Sequence, residues 1–319
     1  MSAFSGQSVA LVLGAGGARG LAHIGVIEVL QARGFEINAV VGCSMGSLVG
    51  GIFAAGKLQQ YRDWTCKLDR SDVLRLLDFN FGLPGLIRGD RVIGVLRDLV
   101  GEHRIEDLAI PFTAVATDLD SQREVWLSRG SLFDAIRASI AIPMLFTPHR
   151  VDGRDLVDGG LLAPLPIAPT RSAHVDRVIA VDVNGPIAWH LPGDPPSDET
   201  LAAAYGVDVD LVHEDEEVAA EDEEGASLRA RMTALWNSWR EHDEPVRDNG
   251  HKRSMLDLMA RSLDTMHAHM TRMHLAQDPP DLLIQIPSNT CAIYEYWRAR
   301  EMIELGRRAA EKALAELAE

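Results

Sequence analysis

The sequence predicts an α/β fold, a mostly parallel central sheet with helices on both faces, and three observations carry that prediction. A short apolar run, Val9 to Leu13, leads through a glycine-rich turn into a mostly apolar helix from about Ala18 to Ala32. The same order recurs at once, with a strand at Ala39 to Val41, a tight turn at Gly42 to Gly46 and a helix at Ser47 to Ala55. Further strand-like runs stand at Phe112 to Ala116, Glu124 to Leu127 and Val178 to Val183. Alternation of this kind brings successive strands side by side and parallel, because each helix carries the chain back across the sheet.

The remaining elements follow from spacing and punctuation. Pro84, Gly85 and Gly89 loosen the chain before a helix near Arg91 to Val100, whose Val92, Val95, Leu96 and Leu99 share one face. Pro111 stands just before a strand, where no ladder hydrogen bond is demanded of it. From Ser254 a helix carries Met255, Met259, Met266, Met270 and Met273 at helical steps, a stripe expected to pack in the core. Asp281 to Ile286 reads as a last strand after Pro279 and Pro280. The final helix, about Tyr294 to Leu317, presents Tyr296, Ile303, Ala310, Leu314 and Leu317 on one side.

A chain of 319 residues, 46% hydrophobic and 24% charged, can bury one large core. The expected organisation is a core over 9–183, an acidic, mobile insertion over 187–253, and a segment over 254–319 that completes the same domain. The net charge of −16 is uneven: residues 194–224 hold thirteen Asp or Glu and no Lys or Arg, leaving −3 for everything else. No basic face is present to neutralise phosphates, so nucleic acid is excluded as a partner. Cys43, Cys66 and Cys291 are too few and too scattered for a disulfide framework or a zinc site, and they suit a reducing, cytoplasmic setting. Met1 to Ser8 lacks the pattern of a secretory signal. Ala39 to Gly56, the longest uncharged stretch, reaches the lower edge of a membrane span, but five glycines and a switch from strand to helix spacing argue for a folded turn.

Gly42-Cys43-Ser44-Met45-Gly46 is a G-x-S-x-G sequence between an apolar strand and a helix. Small residues at both ends permit a sharp turn that lifts the serine hydroxyl to a helix N-terminus, where developing negative charge is favoured. The competing reading is that Ser44 merely caps the helix. A serine nucleophile needs an oxyanion site, and Gly14-Ala15-Gly16-Gly17-Ala18-Arg19-Gly20 can point successive N–H groups into one small space. The rival is a dinucleotide fingerprint, which the spacing disfavours: counted from Gly14, the sixth position is Arg19, and only Glu36 stands near the acidic position that such a site requires. A serine also needs a base. His23 and His149 are candidates for a Ser-His-Asp triad, and Asp158-Gly159-Gly160 presents a carboxylate on a turn that is either functional or ordinary.

Together these three elements resemble the patatin-like phospholipase family, in order and in spacing, over about residues 9–183. Leu21-Ala22-His23-Ile24-Gly25 and Ala138 to Pro148 are similar to its small bacterial members. The resemblance implies a three-layer fold and a Ser44–Asp158 dyad without histidine, acting through an acyl-enzyme. It further implies an oxyanion hole over Gly16, Gly17, Ala18 and Arg19, with Gly14, Gly20, Gly42, Gly46, Gly159 and Gly160 as motif glycines. Ala15 departs from the family, where many members have glycine. Arg19 would position the loop, meet a lipid phosphate or form a salt bridge, and His23 would pack a helix. His267, His269 and His274 form no metal set, and no cofactor or metal is implied. The expected partners are acyl esters or lipids, with transient peripheral membrane contact. Two other classes stay open: a catalytically silent interaction protein of the same fold, and a nucleotide-binding oxidoreductase.

Overall fold

The computed structural model describes residues 4–78, 87–186 and 255–318. The chain divides into two units, 1–207 with 264–319, and 208–263, and the sheet belongs to the first. The acidic segment expected at 187–253 lies outside the described residues.

Strand β1 (Ser8–Leu13) is buried from Val9 onward, and it pairs in parallel with β2 (Glu36–Cys43) on one edge and β7 (Arg177–Gly185) on the other. Its near-continuous apolar sequence is what a parallel strand covered on both faces requires. The eight-stranded sheet runs β5 (His149–Val151), β6 (Arg154–Asp158), β3 (Phe112–Asp118), β2, β1, β7, β8 (Leu282–Pro287), with β4 (Arg123–Leu127) paired to β3. The strands β3, β2, β1, β7 and β8 are mutually parallel, while β4, β5 and β6 join antiparallel.

One face of the sheet, through Leu11, Leu13, Val40, Ile179 and Ile284, packs against α1 (Ala22–Ala32), α2 (Met45–Ala54) and α8 (Ala299–Ala318). The other face, through Val12 and Ala180, meets Leu165, Ile167 and Leu275 of α7 (Met255–Gln277). Helices therefore cover both faces, as expected. A Cβ on Gly25 of α1 would run into the Ile303 carbonyl, and one on Gly306 of α8 into that of Ala22, so the two helices approach backbone to backbone. Four more helices are present among the described residues: α3 (Leu58–Thr65), α4 (Arg70–Leu76), α5 (Asp90–Val100) and α6 (Leu132–Ser139).

Two members of the methionine stripe are a correction: Met266 and Met273 are 50% and 47% exposed, whereas Met270 is half-buried, Thr271 is buried and His274 bonds the Leu162 carbonyl at 2.9 Å. The side chains of Met255 and Met259 lie outside the described residues. The inward face of this helix mixes Thr271 and His274 with Leu275, which blurs its apolar periodicity. Ala39 to Gly56 runs as strand and helix, and no described helix is long and apolar enough to cross a membrane.

One detail of the sheet positions the site. Ala114 and Val115 of β3 pair with both β2 and β4, and Ala116 to Asp118 pair with both β4 and β6. A strand has only two edges, so β4 takes one and β2 and β6 share the other, end to end. Cys43 closes β2 opposite Val115, and Asp158 closes β6 opposite the next residue, Ala116.

Candidate active site

Between β2 and α2 a single residue makes the turn. Ser44 adopts φ 53° and ψ −123°, a conformation that costs a non-glycine residue about 1–3 kcal/mol. Its surroundings hold it there. The Ser44 N–H donates to Ser139 Oγ at 2.9 Å, and that hydroxyl donates to the Val115 carbonyl at 2.6 Å. The Ser44 carbonyl accepts from the Ser47 hydroxyl at 2.7 Å. A Cβ on Gly46 would overlap the Leu13 carbonyl, so the elbow closes only because that position is glycine. Ser44 stands at the N-cap position of α2 yet its side chain makes no capping hydrogen bond, which removes the capping alternative. The helix also begins two residues earlier than its sequence pattern indicates.

Asp158 is only 5% exposed. Its Oδ1 accepts from the Gly160 N–H at 2.7 Å and from the Cys43 thiol at 3.9 Å, while the buried Oδ2 has no hydrogen-bond partner among the described residues. Burial lifts the carboxyl pKa from 3.8 to about 6, against the opposing pull of the Ser44 hydroxyl, the Gly160 amide and the Cys43 thiol. The strand ends thus bring Ser44 and Asp158 together across 114 residues of sequence. Gly159 lies on the Val115 carbonyl, and a Cβ on Gly160 would sit 2.9 Å from His267 Nε2.

The glycine-rich segment arches beside this elbow. Its start presses on Gly46 through the Gly14 carbonyl, and its end presses on Met45 through Gly20. The amides of Gly14, Ala15 and Ala18 donate to the carbonyls of Val181, Pro164 and Ile293 at 3.0, 2.8 and 2.9 Å. Among the described residues no partner receives the amides of Gly16 and Gly17. The Ala18 amide, expected among the oxyanion donors, is therefore already engaged. Gly17 has φ +57°, and a side chain there would collide with the Ile293 carbonyl.

Arg19 is buried, and its guanidinium donates to Asp264 at 2.7 Å, Asn184 Oδ1 at 2.8 Å and the Ser288 carbonyl at 2.5 Å. Of the three roles open to it, this geometry is that of a salt bridge which anchors the loop. His23 is fully buried on α1, its Nε2–H donating to the Gly14 carbonyl at 2.9 Å, and burial lowers its pKa to about 4. It packs and ties the loop as a neutral imidazole. His149 bonds Asp134 at 3.2 Å. Ser139, Asn184 and His267 were not legible as neighbours of the site. Only Ser139 carried a signal, its place within Ala138 to Pro148. Among the described residues no three His, Cys, Asp or Glu side chains converge as metal ligands.

The model of the family described as patatin-like phospholipase matches residues 11–171. An uncharacterized NTE family protein of Mycobacterium tuberculosis is 39% identical over 331 aligned positions, covering 97% of this chain and 92% of that protein. Patatin-like phospholipase domain-containing protein 6 of Homo sapiens is 33% identical over 63% of this chain, which spans only 14% of that much longer protein. VipD from Legionella pneumophila superposes with a TM-score of 0.43 at 14% identity, over 97% of this chain and 67% of that one. With its elbow, its glycine loop and its D-G-G turn inside the matched region, the chain belongs to the patatin-like phospholipase family.

Proposed function

We propose that this protein is a serine acyl-ester hydrolase acting on lipid esters, with Ser44 as nucleophile and Asp158 as its base. The observation that carries the reading is the buried, unpartnered Asp158 Oδ2 beside a serine held in a strained turn. A carboxylate with a pKa near 6 is ionised at neutral pH, yet basic enough to take a proton as the serine oxygen attacks.

In the first half-reaction the Ser44 oxygen bonds to the ester carbonyl carbon and its proton passes to Asp158. The carbonyl oxygen gains negative charge, which the amides of Gly16 and Gly17 receive. The alcohol then leaves with the proton from Asp158, and the acyl group stays on Ser44. In the second half, water gives its proton to Asp158 and its oxygen to the acyl carbon, and the proton returns to Ser44 as the acid departs. The name of one relative, a patatin-like phospholipase domain protein, supports a lipid acyl ester as the substrate class. A dinucleotide finds a poorer fit, because the Ala18 amide at the start of the helix is already bound to Ile293.

A fluorophosphonate should label the peptide that contains Ser44, and short-chain nitrophenyl esters should be hydrolysed. His267→Ala and His149→Ala should keep turnover within about threefold, since a true general base is worth roughly 10²–10⁴-fold. A histidine variant that loses activity on that scale while remaining folded would replace the dyad by a triad. Absence of both label and turnover in the wild type would leave the interaction-protein reading.

A further inference from the structure

Asn184, 6% exposed near the end of β7, reaches across to the glycine loop from behind. Its Nδ2 donates to the Ala15 carbonyl at 2.5 Å, its Oδ1 accepts from Arg19 at 2.8 Å, and its own N–H donates to Asp182 at 2.9 Å. Only one orientation of the side-chain amide satisfies these partners, because Arg19 can only donate and a carbonyl can only accept. The guanidinium is fixed in turn by Asp264 and the Ser288 carbonyl, so Asn184 is rigid at both ends.

In a trans peptide the C=O and the following N–H point in opposite directions. A donor that grips the Ala15 oxygen therefore fixes the heading of the Gly16 N–H, away from Asn184 and out of the loop. The flanking groups are tied differently: the Ala15 N–H goes to Pro164, the Gly14 carbonyl to His23 and the Ala18 N–H to Ile293. We infer that Asn184 is the positioning residue of the oxyanion site, its amide holding the Ala15 carbonyl so that the Gly16 N–H is presented to the substrate carbonyl oxygen. This rests on the Ser44–Asp158 reading of the site. Arg19 adds to the grip, since its positive charge polarises the Asn184 amide and strengthens the bond it donates.

Asn184→Asp tests it with almost no change of shape. Ionised beside Arg19, the introduced carboxylate offers only acceptors and cannot hold Ala15, whereas its protonated form regains a donor. The assay is nitrophenyl ester turnover from about pH 5 to 9 for wild type, Ser44→Ala and Asn184→Asp, with Tm recorded for each. Removal of one oxyanion donor lowers kcat by about 10²-fold or more, so a fall of about that size is expected with KM within about twofold. The ratio of variant to wild-type kcat should rise toward acid pH, a signature that a loss of packing would not give. Asn184→Ser, too short to reach Ala15, should show the same fall with a ratio that does not vary with pH, and it decides the matter if the aspartate variant does not fold. An active wild type, a dead Ser44→Ala and a folded Asn184 variant with kcat within about threefold of wild type would overturn this inference alone. So would a loss confined to Tm. A wild type that neither labels nor turns over overturns the hydrolase reading, and this inference with it.

Discussion

Ser44→Ala is expected to reduce ester turnover by about 10⁴-fold or more and to abolish fluorophosphonate labelling, because the other nucleophile type on the elbow, the Cys43 thiol, is fully buried and held protonated by burial and by Asp158. The fold should survive. The Ser44 hydroxyl makes no capping bond, and the contacts that hold the turn run through its backbone N–H and carbonyl, which alanine keeps. The φ of 53° remains strained for alanine as it is for serine, so Tm should stay close to that of wild type. Turnover by Ser44→Ala within about tenfold of wild type would remove the serine from the mechanism.

Asp158→Asn should do two opposite things. Turnover should fall by about 10³–10⁴-fold, since the amide cannot accept the serine proton. Stability at pH 8 should rise. The folded-state pKa of Asp158, about 6, lies above its ordinary 3.8, so between these values the folded chain binds the proton that the unfolded chain has released. Stability therefore falls as pH rises through that window, and the full cost of the buried charge is present above it. At about 1.4 kcal/mol per pKa unit, relief of that charge is worth about 2–3 kcal/mol, read as a Tm several degrees higher at pH 8 and little changed at pH 4. In wild type, kcat/KM should drop tenfold per pH unit below about 6 as the base is protonated. A variant that is both inactive and destabilised at pH 8 would mean that the carboxylate is held for structure. A flat wild-type profile down to pH 5 would mean that the base is another group.

The parts of the site that could be read from sequence were those whose chemistry is written locally. Gly42 to Gly46 sits between an apolar strand and a helix, and Asp158 is followed at once by two glycines, so each announces a tight turn without reference to the rest of the chain. The parts that stayed hidden depend on distant partners. Asn184 at a strand end has no local pattern, and only the fold brings it to Ala15, 169 residues away. Strand β6, Arg154 to Asp158, contains two apolar residues and no alternation, so nothing marked it as the element that carries Asp158. Helix α3 is mostly polar, and α6, despite a Ser131 cap on the Asp134 amide, is only eight residues long, too short for its apolar period to repeat. Met266 and Met273 of α7 gave the reverse error, apolar residues at helical spacing that face outward.

The end-to-end meeting of β2 and β6 along β3 makes the backbone ladder a caliper for Ser44 and Asp158. Their spacing is set by neighbouring rungs, Val115 and Ala116, and a slip of one rung would move the carboxylate by about 3.4 Å and turn it to the opposite face. Of the 35 residues from 119 to 153 that separate β3 from β6, Ser139 and Ala141 reach back to brace the caliper, through the Ser44 and Asp158 amides. The same connection also supplies β4, which closes the far edge of β3, and β5, which closes the far edge of β6, so it clamps the ladder from both sides. A chain built this way sets the distance between Ser44 and Asp158 through its sheet, not through the 114 residues of sequence that separate them.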